Sequence, residues 1–494
     1  MTASPRRILL AGLLLLSSAP LGGQSLARRL DARLDAPDLD RHLWGVAVTD
    51  LDGRLLYGRN AERLFIPASN TKLVIAAAAI VMLGPDYQVR TSLYGTGPVV
   101  DGELIGDLVL YGRGDPTLSK RCYDPDESKP GVCDEDPAAR LRDLARQLRE
   151  RGVRRVAGDL VGDGSYFDEE LVHPAWETYD LNWWYAAPVS GLGFNDNAVD
   201  IVVAAADSGD AQPRLELALD VGAARLENRA VIGPRDARRS FDILRSSDGE
   251  RYVASGILPI GSAQRTEYAA VLDPARYTAL ALQRALAAEG IVVRGAVRST
   301  VDSTDYAATR ATPALAEVLS RPLRDWVFPV LNTSQNWFAE MLVKQLGRVH
   351  GRAGSWREGL AVERRFLIDS VGIDSTQFAL SDASGLAANN LVTPRAFTQL
   401  LAWMRRHPQY EAFAAGLPQS GAVGSLRRRF VGTPLEGRVR AKTGTISRVN
   451  TLSGYVEGAD GRVLVFSIQA NHHTLGSSRM IPAIDSVVVE LRRR

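Results

Sequence analysis

Residues 73–83 are apolar at every position, with no polar face at any helical phase. A run of that kind, about three helical turns long, predicts a helix buried on all sides. Upstream, residues 25–35 carry the amphipathic pattern of a short helix stopped before Pro37. Two strand-like runs follow at 43–48 and 55–57, and Leu51-Asp52-Gly53 between them reads as a hairpin turn. Strand patterns resume at 89–94 and 106–111. Then come a helix over 141–151, a stop at Gly152 and a strand over 153–161. That helix–Gly–strand unit recurs. Residues 147–153 resemble 285–291, and each unit leads into a strand with an internal glycine, Gly158 or Gly295. Two such units predict α/β halves that pair within one domain. Between them, residues 199–265 show β-rich runs and little helical periodicity. Helical patterning returns over 314–342, 356–371 and 394–406. The chain closes with strands at 438–443, 451–457 and 463–470, a hairpin at 458–461, and a helix over 480–491. The terminal Arg492, Arg493 and Arg494 match the dipole of that helix.

The first two dozen residues stand outside this plan. Arg6-Arg7 precede an apolar run over 8–16, then small residues through Gly22, Gly23 and Ser25, the layout of a secretory signal peptide over 1–24. No Cys follows the run, so no lipid anchor is expected, and the run is short for a membrane span. An exported protein, periplasmic or extracellular, is the expectation. Removing Arg6 and Arg7 with the leader takes the formal net charge from +2 to about zero, which gives no reason to expect a nucleic-acid partner. No later stretch is long and apolar enough to cross a membrane. The 494 residues are 45% hydrophobic and 23% charged, a globular composition with room for two or three domains. An exported chain can keep a disulfide. Cys122 and Cys133 flank a polar segment and are expected to staple a loop; without neighbouring His they do not make a zinc set. His472-His473 is expected in a solvated loop. The aromatic segment Trp176, Tyr179, Trp183, Trp184 and Tyr185 is expected mainly to fill core.

Composition also marks one position for chemistry. Of 59 basic residues, the only lysines are Lys72, Lys120, Lys129, Lys344 and Lys442. Arginine stays charged in proteins, whereas a lysine whose stem enters an apolar environment can lose its proton. Lys72 opens the buried helix, and Ser69 lies three residues before it in Pro67-Ala68-Ser69-Asn70-Thr71-Lys72, on the same helical face. A serine hydroxyl is a poor nucleophile until a base activates it, and Ser-x-x-Lys offers both. Alone, the pattern is weak, because serine at a helix start is more often only a cap.

Two further patterns raise its weight. Ser334-Gln335-Asn336 directly precedes a helical run, so a hydroxyl and an amide can point into one cleft. Lys442-Thr443-Gly444-Thr445 ends a strand. There Lys442 offers a fixed positive charge, Gly444 lets another chain lie close, and Thr443 and Thr445 offer hydroxyls to a carboxylate. The order Ser-x-x-Lys, Ser-x-Asn, Lys-Thr-Gly is far more specific than any one member.

On these motifs the chain resembles the penicillin-binding proteins. Within them it resembles the serine D-alanyl-D-alanine carboxypeptidase/endopeptidase family, the class C low-molecular-mass group. Supporting segments span nearly the whole mature chain. They include Gly106-Asp107-Leu108-Val109, Gly114-Asp115-Pro116-Thr117-Leu118, Ala187-Pro188-Val189-Ser190, Asn195-Asp196-Asn197, Asp382-Ala383-Ser384-Gly385-Leu386 and Leu417-Pro418-Gln419-Ser420-Gly421. More than 250 residues separate Ser69 from Ser334, far more than a compact β-lactamase would have. The resemblance implies an α+β, multidomain fold. A transpeptidase-like (β-lactamase-like) domain, an antiparallel sheet with helices on both faces, is expected from 25–93 and 305–494. An inserted α/β domain is expected from 94–198 and 266–304, with a small β-rich domain, 199–265, nested inside it. The sequence departs from the usual motifs at Gln335 (commonly Asp), Ala383 (often Gly), Ser420 and Val423.

The resemblance also implies a reaction. Ser69 would attack a D-Ala-D-Ala peptide carbonyl, with Lys72 as base, Ser334 relaying a proton to the leaving amine and Lys442 tuning the field. Asn336 would orient Lys72 and the substrate. Thr443 and Thr445 would grip the terminal carboxylate, and the Ser69 and Thr445 N–H groups would form the oxyanion hole beside Gly444. Peptidoglycan stem peptides are the implied substrates and β-lactams the implied covalent inhibitors, with no metal or cofactor. Asp180, in the aromatic segment, is a candidate for holding a free amine on the stem. Competing readings are a β-lactamase or esterase, a non-catalytic wall-binding protein, and a cross-linking transpeptidase.

Overall fold

The computed structural model describes residues 25–119, 136, 138–205 and 212–492. The expected leader and the Cys122–Cys133 staple lie outside the described residues.

The site is built on a five-stranded, fully antiparallel sheet. Its order is Leu55–Arg59, Leu43–Thr49, Val463–Asn471, Val449–Glu457 and Val439–Ile446, so the two ends of the chain meet in the middle of one sheet. Alternation along the strands sorts the two faces. Leu464, Phe466, Ile468 and Ala470 join Val46, Val48, Leu452 and Val456 under the helices Leu26–Leu34 and Ser477–Arg492. The opposite face carries Val465 and Tyr455 into the larger core, together with polar Thr451, Ser453, Ser467 and Gln469. Against this second core packs the helix Lys72–Met82, every residue of which from Lys72 to Ile80 is buried. It is surrounded by the helices Leu323–Leu331, Asn336–His350, Trp356–Arg365 and Pro394–Arg406. The expectation of a helix buried on all sides holds from Leu73 to Ile80, while Val81, Met82 and Leu83 at its end are half-buried.

A second five-stranded sheet has the order Val297–Thr300, Leu160–Asp163, Leu108–Tyr111, Arg90–Gly95 and Ala316–Leu319. The helices Ala139–Glu150 and Pro274–Ala288 pack on it side by side. The repeated helix–Gly–strand units do pair here. Leu160–Asp163 and Val297–Thr300 run parallel in adjacent positions, as do Arg155–Val156 and Val292–Val293. Beyond them lie short sheets built from strands between Ala198 and Ala270.

Several expectations need correction. Residues 314–342 are not one helix. Ala316–Leu319 is an edge strand paired antiparallel with Arg90–Gly95, and Pro322 then fixes an extended break before the helix Leu323–Leu331. The second sheet takes Arg90–Gly95, which runs across residues 93/94, and Ala316–Leu319, which follows residue 305. Likewise Arg265–Ala270 continues past residue 265 to pair with Ala198–Ala204. Of the aromatic segment only Trp176 is buried. Tyr179 is 54% exposed, and Trp183, Trp184 and Tyr185 are half-buried: Trp183 is an extended residue between two 3-10 turns, Trp184 and Tyr185 lie in the second, and Tyr185 packs against the edge of the larger core. His472 is exposed, but His473 is buried, edge-on to His42 and bonded through Nδ1 to the Leu475 carbonyl at 2.7 Å.

Candidate active site

Ser69 sits in a 3-10 turn, Ala68–Thr71, that feeds directly into the Lys72–Met82 helix. The turn is held from three sides. Thr71 Oγ1 donates to the Ala68 carbonyl at 2.9 Å, Asn70 is bonded to Ser453 at 2.6 Å, and Thr451 Oγ1 donates to the Pro67 carbonyl at 2.9 Å. Two glycines make this packing fit. A Cβ on Gly444 would fall on Thr451 Oγ1, 2.8 Å from the Pro67 carbonyl oxygen and 3.1 Å from the Ser69 nitrogen. A Cβ on Gly385, whose φ is +78°, would fall on the Ala68 carbonyl oxygen. The strand end at Gly444 lies close to a chain, as its sequence implied, but that chain is the protein's own Ser69 turn.

Lys72 is fully buried. Its Nζ lies 3.0 Å from Ser69 Oγ, 2.6 Å from Asn336 Oδ1 and 2.6 Å from the Ser384 carbonyl oxygen. Burial lowers its pKa from 10.5 to about 7, against a smaller opposing pull from Asp382 and Glu340. The same amine in Arg form would stay charged, so the choice of lysine in an arginine-rich chain has its physical basis here.

The middle motif arrives from the other side. Ser334 has a left-handed backbone, φ +65°, at the turn before the helix Asn336–His350. Lys442 Nζ donates to Ser334 Oγ at 2.8 Å and to the Thr443 carbonyl at 2.8 Å. Lys442 is also fully buried. Desolvation first and the Lys72 charge second push its pKa well below the ordinary lysine value. The five groups therefore form two hydrogen-bonded sets, Ser69–Lys72–Asn336 and Ser334–Lys442. The lysines are buried, while Ser69, Ser334 and Asn336 are half-exposed.

Thr443 Oγ1 donates to Ser425 Oγ at 2.8 Å, and Thr445 Oγ1 accepts from Asn450 Nδ2 at 3.0 Å. Thr443 is half-exposed and Thr445 exposed, on the strand that also carries Lys442. Asp180 does not join the central cluster. It accepts from the Tyr185 hydroxyl at 2.9 Å, and the Tyr185 carbonyl accepts from Asn336 Nδ2 at 2.8 Å, which puts Asp180 on the rim two bonds from Asn336.

Some partners were not identified from sequence. The buried Asp196 accepts from Gln335 Nε2 at 2.6 Å. The Asp382 segment was visible as a motif, but the use of its Ser384 carbonyl as a Lys72 acceptor was not. Glu340, buried one turn after Asn336, was readable only as a charged residue inside an apolar helical stripe.

Fold and site together define a serine acyl-transfer hydrolase of the penicillin-binding kind. A family model described as D-Ala-D-Ala carboxypeptidase 3 (S13) matches residues 26–491, and the chain belongs to that family. It is 34% identical over 462 residues to a D-alanyl-D-alanine carboxypeptidase of Actinomadura sp. (strain R39), covering 91% of this chain and 81% of that one. It is 25% identical over 427 residues to the D-alanyl-D-alanine carboxypeptidase DacB of Haemophilus influenzae, covering 84% and 82%. The fold matches the crystal structure of penicillin binding protein 4 (dacB) from Haemophilus influenzae. That match has a TM-score of 0.80 at 22% identity and covers 94% of this chain and 99% of the other. The serine carboxypeptidase reading holds.

Proposed function

We propose that this protein hydrolyses D-Ala-D-Ala bonds in peptidoglycan stem peptides through an acyl-enzyme on Ser69. The observation that carries the reading is the trio of contacts at Lys72. A neutral amine has two N–H groups and one lone pair. The Asn336 and Ser384 carbonyl oxygens take the two N–H groups at 2.6 Å each, and the lone pair faces the Ser69 hydroxyl at 3.0 Å. Lys72 is thereby set to accept the Ser69 proton as Ser69 attacks the carbonyl carbon. The Ser69 and Thr445 N–H groups take the developing oxyanion. Ser334, bonded to Lys442, relays to the departing amine the proton that Lys72 took from Ser69, which returns Lys72 to its neutral form, and the Thr443 and Thr445 hydroxyls hold the terminal carboxylate. Water then releases the acyl group.

Peptide cross-links, in which a D-Ala carbonyl is joined to an amine of another stem, are further substrates in this reading, and β-lactams acylate Ser69. A complex of the Haemophilus influenzae penicillin binding protein 4 with a β-lactam is in keeping with that. Asp180 is the proposed acceptor for a free amine on the stem. The second sheet and the short β-sheets beyond it are proposed as insertions into the catalytic domain, with Arg90–Gly95 and Ala316–Leu319 assigned to the first insert. Residues 1–24 direct the chain to the cell envelope, and no described helix is long and apolar enough to cross a membrane.

The test is labelling with a fluorescent penicillin. Wild type is expected to label and Ser69→Ala not to; a labelled mutant or an unlabelled wild type defeats the acyl-enzyme. Muropeptide digestion then measures carboxypeptidase against endopeptidase action. Equal activity of Asp180→Asn on amine-bearing and amine-blocked stems would remove Asp180 from the substrate site.

A further inference from the structure

Behind Lys72 lies a group of buried acids that the reaction outlined above does not use. Glu340 is fully buried, on the helix that begins at Asn336 and one turn further along the same face. Its Oε1 accepts from the Ser384 N–H at 2.7 Å. Its Oε2 accepts from Trp356 Nε1 at 2.8 Å and the Ala383 N–H at 3.3 Å. The carbonyl of that same Ser384 receives Lys72 Nζ. Asn336 thus reaches the amine directly, and Glu340 reaches it through one residue. Asp382 clamps the other side of the segment. It accepts from the Gly385 and Ala387 N–H groups and from Asn390 Nδ2, each at 2.7 Å, and from Trp176 Nε1 at 3.0 Å.

The charge state of this group follows from its partners. Glu363, on the neighbouring helix, is fully buried, and neither of its carboxyl oxygens has a hydrogen-bond partner among the described residues. An ionised carboxylate is not left in such a place, so Glu363 holds its proton. Burial, with Glu340 and Asp382 nearby, pushes its pKa well up. Burial first and Asp382 second raise the Glu340 pKa to about 7, while its three donors favour the ionised form, so its negative charge develops over the same pH range in which Lys72 titrates. The other groups that bear on Glu340 are Lys344 on its own helix, Asp382 with His173 near it, and Lys72, which in turn faces Lys442.

We propose that Glu340 is a positioning residue for the acylation base: bonded to the Ser384 N–H, its carboxyl group holds the Ser384 carbonyl on the Lys72 amine. Its charge, after that of Asp382, also favours the protonated amine. The proposal rests on Lys72 acting as the base. The sign follows directly. Acylation needs neutral Lys72, so its rate rises with pH through the Lys72 titration. A nearby negative charge favours the ammonium, so removing it moves that limb to lower pH.

The test measures the second-order acylation rate with a chromogenic cephalosporin from about pH 5 to pH 9, in wild type, Glu340→Gln, Trp356→Phe and Glu363→Gln. In Glu340→Gln the acidic limb is expected to move down by roughly half a unit or more, with a several-fold lower plateau. Trp356→Phe removes one donor from Glu340 without touching the carboxylate, and is expected to move the limb in the same direction by less. Glu363→Gln replaces a neutral acid by its isostere and leaves the limb where it is. A uniform rate loss in Glu340→Gln and Trp356→Phe, with the wild-type limb in place, would make Glu340 merely structural and overturn the proposal. Should Glu340→Gln fail to fold, an unmoved limb in Trp356→Phe overturns it alone. A wild type that acylates with no acidic limb would defeat the Lys72 base and this proposal together, which separates the two failures.

Discussion

Gln335 and Asp196, 139 residues apart, are joined by one hydrogen bond of 2.6 Å between fully buried side chains. Asp196 is the middle of three consecutive left-handed residues, Asn195, Asp196 and Asn197. Asn197 Nδ2 binds the Pro188 carbonyl at 2.8 Å, and that carbonyl also accepts from Trp337 Nε1 at 3.2 Å. The residues on either side of Asn336 are therefore anchored to one loop of the intervening chain. The common Asp at position 335 would place a second carboxylate against Asp196, so this chain needs a donor there. Gln335→Asp is expected to cut kcat/KM on a D-Ala-D-Ala peptide by roughly 10-fold to 100-fold at neutral pH, the scale of a buried unpaired charge. Asp196→Asn in the same protein should recover much of it. A double-mutant cycle measures the coupling, and additive losses would show that the pair does not carry the Ser334–Asn336 geometry.

Gly444 fixes how near the Lys442 strand lies to the nucleophile. In Gly444→Ala the new methyl would meet Thr451 Oγ1, the Pro67 carbonyl and the Ser69 nitrogen, most of it backbone that cannot swing away. The strand and the Ser69 turn must part. Misplacement of reacting groups by about 1 Å can cost on the order of 100-fold in rate. Penicillin acylation of Gly444→Ala is expected to fall by that order while the melting temperature changes little. Equal acylation rates would mean the turn tolerates the shift.

How far the sequence could be read follows from which residues act through their own side chains. Ser69, Lys72, Ser334, Asn336 and Lys442 lie in short linear motifs, because each pair or trio shares one turn or strand end. The scarcity of lysine carried further than expected: Lys72, Lys344 and Lys442 are all fully buried. Ser384 and Glu340 act on Lys72 through a main-chain group, and no side-chain pattern encodes which peptide bond will face an amine. The Gln335–Asp196 bond depends on a tertiary contact across an insert. Ala316–Leu319 was misread because four residues of an edge strand have too few positions to separate a period of 2 from one of 3.6.

The lowered pKa of Lys72 sets a pH dependence. Its ordinary value is 10.5, and burial brings it to about 7 in the folded protein. In the proposed mechanism the reactive form is the neutral amine, so log of the acylation rate is expected to climb with unit slope below about pH 7 and level off above it. A surface-like lysine would still be climbing at pH 9. Lys72→Arg keeps the charge and removes the base, and should lower acylation by roughly 100-fold to 10,000-fold at every pH, with no limb left near 7. Stopped-flow acylation across the range reads both.

Lys344 is the third buried lysine and belongs to stability. Its Nζ donates to Asp168 Oδ1 at 2.7 Å and to the Glu170 carbonyl at 2.6 Å, and it lies 3.9 Å from the Trp356 ring centre. It therefore ties the helix Asn336–His350 to the 168–170 segment and to the helix Trp356–Arg365. Lys344→Met keeps the stem and removes the charge. Breaking a buried pair by deleting one partner costs about 3–5 kcal/mol, but the Asp168 side chain is 29% exposed and can be rehydrated, which reduces the expected loss to about 1–3 kcal/mol. Asp168→Asn in the Lys344→Met protein should restore part of that loss, since no carboxylate is then left unpaired. Denaturant unfolding of the two variants and their double mutant measures this. Lys344→Met equal in stability to wild type would leave the Asp168 contact without energetic weight.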